Sequence, residues 1–191
     1  MPVMRWLSLV LLLALSGCAM RLPGGECARL SPSVSYCLLP AATDIAPTRV
    51  VQRVQLAFDD PALPALALQG VDERLPGRRV LAATGGLGQI SLVIQWSDNQ
   101  LESEVHGLPG GLDPAWLLAM VQLSERPLAE LASRLNGPAQ LTSQCDGLHC
   151  RQLSSEGVPL VTITGPADQR RFEHHLYGVS MTLSTLIQES L

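Results

Sequence analysis

The sequence predicts a mainly β protein with a short α-helical insertion. Three observations carry this: strict alternation of apolar residues in two long segments, one capped apolar helix in mid-chain, and further alternating segments after it. In the first segment Val50, Gln52, Val54, Leu56 and Phe58 share one face, opposed by Val51, Arg53, Gln55 and Ala57. Leu66, Leu68 and Gly70 supply another strand, and 78–83 a further one. In the clearest segment Ile90, Leu92, Ile94 and Trp96 oppose Gln89, Ser91, Val93 and Gln95. It ends at the turn Ser97-Asp98-Asn99, from which 101–105 pairs back.

The helix begins at Asp113-Pro114, an N-cap followed by proline at a position whose missing N–H needs no partner. Trp116, Leu117, Met120, Val121 and Leu123 recur at helical spacing. Pro127 interrupts, and Leu128, Leu131 and Leu135 form a second short stripe that stops at Asn136-Gly137-Pro138. Strands are expected again over 140–144, 149–154, 158–164, 171–179 and 180–188, with Asp146-Gly147 and Glu156-Gly157 as hairpin turns. Strands, two short helices, then strands describe an antiparallel sheet with a helical insertion.

The N-terminus adds an address. Arg5 precedes an apolar run over 6–15, too short to span a bilayer and typical of a secretory signal. It ends in Leu15-Ser16-Gly17-Cys18, which resembles the lipobox of bacterial lipoproteins. The likeness implies cleavage before Cys18, lipidation (diacylglycerol and an acyl chain such as palmitate) and anchoring. The alternative is an ordinary signal with an incidental cysteine. Ala19, where inner-membrane lipoproteins commonly carry Asp, implies the outer membrane, on its periplasmic face. The expected organisation is a signal peptide over 1–17, a lipidated tether over 18–47, rich in proline and glycine, and a β domain over 48–191.

Thirteen basic and 17 acidic residues become 12 and 17 when Arg5 is removed with the signal, a net charge near −5. No basic patch favours nucleic acid. Every basic residue is arginine, which excludes lysine Schiff-base chemistry. Apart from Cys18, four cysteines remain: Cys27, Cys37, Cys145 and Cys150. Three pairings are open to them in an oxidising compartment, and local closure favours Cys27–Cys37 and Cys145–Cys150. Zinc at Cys145, His149 and Cys150 is the rival reading, with an incomplete ligand set, so no metal is expected.

Little here resembles catalytic machinery, and neither an enzyme nor a cofactor is expected. Gly85-Gly86-Leu87-Gly88 has no following helix or lysine to make a phosphate loop. His174 and His175, adjacent on a strand, point to opposite faces, one expected in solvent and one in the core. Asp59-Asp60 and Asp72-Glu73 read as solvated turn acids. What remains is apolar surface: a curved sheet whose opening is covered by short helices can hold a lipid-like ligand. Leu92, Ile94, Trp96, Trp116, Met120 and Met181 are candidates to line such a cavity, against the alternative of a plain packed core.

Leu112-Asp113-Pro114-Ala115-Trp116-Leu117-Leu118-Ala119-Met120-Val121-Gln122-Leu123, then Pro127-Leu128 and Tyr177-Gly178-Val179-Ser180-Met181-Thr182-Leu183, resemble an uncharacterised Gram-negative lipoprotein family often found in aryl-polyene clusters. The likeness spans about 45–190, and that family is distantly similar to LolB, the outer-membrane receptor that takes lipoproteins from the carrier LolA. It implies a half-open antiparallel β-barrel with helices covering its mouth. It further implies an acyl chain or polyene lipid as ligand, outer-membrane lipid and a LolA-like periplasmic carrier as partners, and assistance in lipid or lipoprotein delivery. A non-transporting scaffold in an envelope or aryl-polyene assembly is the alternative. By resemblance to the membrane-inserting leucine of LolB, Leu87, flanked by Gly86 and Gly88, would enter the bilayer, although this chain lacks the proline that precedes that leucine.

Overall fold

The computed structural model describes residues 25–109, 112–143 and 150–191. The proposed lipidation site Cys18, together with Cys145, the Asp146-Gly147 turn and His149, lies outside the described residues. The fold is mainly β, as expected. A short hairpin, β1 (Cys27–Arg29) and β2 (Ser35–Cys37), precedes β3 (Thr48–Phe58), β4 (Leu66–Leu75), β5 (Arg78–Gly85), β6 (Ile90–Ser97) and β7 (Gln100–His106). Helices α1 (Pro114–Glu125) and α2 (Leu128–Ala132) follow. Strands β8 (Leu135–Asn136), β9 (Ala139–Thr142), β10 (Arg151–Ser155), β11 (Val158–Thr164), β12 (Gln169–His174) and β13 (Val179–Ser190) complete the chain.

Ten strands form one antiparallel sheet in the order β7-β6-β5-β4-β3-β13-β12-β11-β10-β9. Each half is a meander, and the halves join where β13 returns to pair with β3, Val179 opposite Phe58 and Ser190 opposite Thr48. Strands β7 and β9 remain as edges, so the sheet does not close into a barrel. Alternation behaves as the sequence predicts: Val54 and Leu56 of β3 and Leu92, Ile94 and Trp96 of β6 are buried on one face. The β6–β7 turn places Asp98 and Asn99 at positive φ (51° and 60°), and the β10–β11 turn does the same at Glu156 and Gly157, the backbone that tight two-residue hairpins require. The expected strand over 171–179 stops at His174. Residues 175–178 form the turn into β13, with Gly178 at φ 57°.

Helix α1 has the Asp113 cap anticipated, the carboxylate accepting from the Ala115 N–H at 2.9 Å. All ten residues from Ala115 to Ser124 are buried. A helix apolar around its whole circumference needs cover on every side. The large sheet covers one side, and the N-terminal hairpin the other. Ala28, Leu30, Val34, Tyr36, Leu38 and Leu39 all lie in the core, and β2 pairs with β8 beyond the helices. The described part of the expected loose tether is therefore largely a packed hairpin, closed by the Cys27–Cys37 disulfide. Its small apolar stretches were too short for periodicity to reveal.

The ladders place several loops at one end of the large sheet. These are 59–65 after β3, the β5–β6 turn at Gly86–Gly88, the segment leading into α1, the β10–β11 turn and the 175–178 turn. This is the mouth end. The opposite end carries the β4–β5 turn and the C-terminus of α1.

Candidate functional site

Between α1 and the inner face of the sheet lies an apolar cleft of about 60 Å³. Val54 and Leu56 of β3, Leu68 of β4, Ala83 of β5, Leu92 and Ile94 of β6, Met181 of β13 and Leu117 of α1 line it, with Gln52 the one polar side chain among the lining residues. Gly70 presents no side chain to it, and a Cβ there would lie 2.9 Å from Val54 Cγ2. Of the cavity candidates, Leu92, Ile94 and Met181 meet in this cleft. Trp116 instead lines a second cavity, of about 400 Å³, at the mouth end. Trp96 is buried below the hairpin, its Nε1 donating to the Leu39 carbonyl at 2.9 Å. Met120 is fully buried on α1.

The C-terminal half of α1 is held by polar contacts. Gln122 accepts at Oε1 from the Tyr36 hydroxyl and the Leu39 N–H, both at 2.9 Å, while its Nε2 donates to the Leu39 carbonyl at 3.0 Å. Burial pushes the Tyr36 hydroxyl pKa up, so it stays a donor. Arg151 of β10 donates to the Leu123 and Arg126 carbonyls at 2.8 and 2.6 Å, satisfying acceptors that the helix end leaves open.

Glu125 closes a four-residue ion network. Arg79 donates to Asp72 through Nε (2.9 Å) and Nη2 (2.6 Å) and to Glu125 through Nη1 (2.9 Å); Arg74 bridges Asp72 and Glu125 at 2.8 and 2.7 Å. Burial opposes ionisation of Asp72, but the Arg79 and Arg74 guanidiniums outweigh it and hold the carboxyl below its ordinary value. Burial likewise disfavours the Arg79 charge, yet Glu125 and Asp72 raise its pKa. Asp72, expected as a solvated turn acid, is 3 % exposed. The signal was present: Leu66, Leu68, Gly70, Asp72 and Arg74 share a strand face by period two, so the buried face of β4 ends in charges.

The adjacent histidines separate as anticipated. His175 is exposed, its Nε2 2.8 Å from the Thr162 hydroxyl. His174 is 2 % exposed, stacks on Tyr177 at 4.3 Å and lies 5.8 Å from the Trp116 ring. Its Nδ1 accepts the Tyr177 N–H at 3.2 Å, which places the neutral ring's proton on Nε2. Burial lowers its pKa to about 4. Unfolding releases the ring to its ordinary value of 6.5. As pH falls from 6.5 to 4, the unfolded chain therefore binds a proton that the native ring does not, and stability declines across that window. Between pH 7.5 and 5 the expected loss is about 2 kcal/mol. Urea unfolding at both pH values tests this: His174→Leu should flatten the dependence, and a wild-type midpoint unchanged at pH 5 would refute it.

Leu87 lies in the 3-10 turn Gly86–Gly88 between β5 and β6, at the mouth end, with Gly86 and Gly88 at φ 55° and 86°. Its side chain lies outside what is described. A Cβ on Gly88 would meet nothing within 4 Å, so the turn leaves open space at that residue. At the same end, Leu176 and Tyr177 are 52 % and 47 % exposed and Val158 62 %. Cys150 is disulfide-bonded. Among the described residues, no cluster of three or more His, Cys, Asp or Glu side chains suits a metal ion, and no helix is long and apolar enough to cross a membrane.

A comparison with curated proteins finds no match. The family model for a protein of unknown function, DUF3261, matches residues 49–187, from the start of β3 almost to the end of β13, and so takes in nearly all of the large sheet and α1 but not the N-terminal hairpin. On that match the chain belongs to the DUF3261 family.

Proposed function

We propose that this protein is a lipid-anchored lipoprotein on the periplasmic face of the outer membrane, joined to it through Cys18. In this reading it binds an acyl chain or another apolar ligand, such as a polyene lipid, and assists delivery of lipid or lipoprotein to that membrane. The observation that carries the reading is the apolar cleft between α1 and the sheet. A sheet with two free edges wrapped against a buried helix also supports the LolB-like half-barrel expected from the sequence. A LolA-like periplasmic carrier would be the donor.

A cleft of about 60 Å³ has room for only a few methylene-sized groups. A whole chain enters when α1 moves away from the sheet. The polar contacts of Gln122, Glu125 and the Leu123 carbonyl fix the C-terminal half of the helix. Opening would therefore occur at the N-terminal half, where Trp116 and Leu117 pack by apolar contact beside the mouth. Transfer would run down an affinity gradient, each methylene gaining a fraction of the ~0.8 kcal/mol that full burial from water provides. The small resting volume also favours a second reading, an anchored scaffold with a filled core in an envelope or aryl-polyene assembly.

Leu87 is the residue that would enter the bilayer while the mouth faces the acyl chains. Leu87→Glu should abolish transfer to liposomes and leave folding stability within about 0.5 kcal/mol of wild type, as for an exposed site. Burying the new carboxylate would instead lower stability by several kcal/mol. A loss of that size in urea unfolding would place Leu87 in the core and overturn its membrane role.

A further inference from the structure

The cleft and the mouth cavity are consecutive along the same elements. On β3, Leu56 lines the cleft and Phe58 the mouth; on β13, Met181 and Val179 do the same; on α1, Leu117 and Trp116. Residues two apart on a strand face the same side, about 7 Å apart. A ligand can therefore lie along this face with one part in each cavity. The cleft is apolar throughout except for Gln52, whereas the mouth has Arg29 and Asp113 on its wall beside Phe58, Leu63, Trp116 and Tyr177.

The two charges differ in what they are free to do. The Asp113 carboxylate already caps α1 through the Ala115 N–H. Arg29, exposed at the end of β1, has no hydrogen bond or ion pair among the described residues. Trp116 adds a second unmet donor: it is 4 % exposed, and its Nε1–H finds no acceptor among the described residues. A wide, partly aromatic vestibule with an unpaired guanidinium, followed along the same strands by a narrow apolar cleft, matches an amphiphile with one anionic end.

We propose that the mouth cavity is a headgroup site in which Arg29 binds the anionic end, a carboxylate or phosphate, of a lipid whose chain occupies the cleft. The inference rests on the acyl-binding reading above and adds the charge of the ligand. Arg29 lies on the N-terminal hairpin, outside the 49–187 segment that the family model matches.

Displacement of a neutral apolar dye from the purified full-length chain tests the assignment, with hexadecanoate, its methyl ester and hexadecyl phosphate as competitors. The expected result is about tenfold tighter binding of at least one anion than of the ester. Arg29→Gln should reduce that preference to near unity without weakening the ester. Asp113→Asn, which retains a capping side chain, should tighten binding of the anion. The stronger of the two anions identifies carboxylate or phosphate as the natural head. Equal affinity of ester and anions for wild type, or a preference that survives Arg29→Gln, would overturn the headgroup site while leaving the acyl cleft standing. Failure of all three ligands to displace the dye would remove both.

Discussion

Asp72→Ala is expected to lower stability by about 3–5 kcal/mol, with a fall in Tm on the order of 10 °C. The carboxylate is 3 % exposed and receives both the Nε and Nη2 bonds of Arg79, whose own side chain is only 12 % exposed. Without it, two guanidiniums share one remaining acid, Glu125, and an uncompensated positive charge stays inside the protein. The loss comes from stranding that charge more than from the attraction removed. The double variant Asp72→Leu/Arg79→Met, which removes an acid and a base together, should accordingly recover most of the stability. Urea unfolding of the wild type and both variants decides the matter. A loss below about 1 kcal/mol for Asp72→Ala would mean that water reaches the network and screens it.

Gln122→Leu should have the next largest effect, a loss of about 2–4 kcal/mol, because the buried Tyr36 hydroxyl and Leu39 N–H lose their acceptor. The Leu39 carbonyl keeps its bond from Trp96. Adding Tyr36→Phe to Gln122→Leu removes one orphaned group, so the double variant should be destabilised by less than the sum of the two singles. A Gln122→Leu protein as stable as wild type in urea would show that the hairpin is held on α1 by apolar contact alone.

These two residues also mark where the sequence could be read and where it could not. Period-two alternation in β3 and β6 predicts both the strands and their buried faces, because one side of each faces a continuous apolar layer. The Asp113-Pro114 pair marks the start of α1 for the same local reason: the cap satisfies a donor three residues away at most. The N-terminal hairpin was invisible. Strands β1 and β2 have three residues each, lie among prolines and glycines, and are kept in place by α1, more than 70 residues further along the chain. Gln122 looks like an ordinary polar residue on a helix until Leu39 is placed against it. The ion network was half legible: the inner-face register of β4 reaches Asp72, but its partner Glu125 belongs to a helix whose docking the strand pattern does not specify.

For the candidate site, the sequence identified Leu92, Ile94 and Met181 by face and by apolar character, and the cleft brings them together. Trp96 shares the β6 face with Leu92 and Ile94. It sits closer to the far end, where Leu39 accepts its N–H. The mouth cavity was out of reach, since Arg29, Phe58, Trp116 and Tyr177 come from three elements and the turn before β13, whose proximity depends on the return of β13 to β3.

The proposed lipid-binding function requires that the cleft between α1 and the sheet admit an acyl chain. The most direct measurement is uptake of a fluorescent sixteen-carbon acyl probe by the wild type and by Ala83→Phe, a variant that fills the cleft from β5. Its overpacking cost of about 1–3 kcal/mol should leave the protein folded, which a urea melt of the same sample verifies. Saturable uptake by the wild type and at least tenfold weaker uptake by folded Ala83→Phe are expected; absence of uptake by the wild type, or equal uptake by both, would overturn the acyl-binding function.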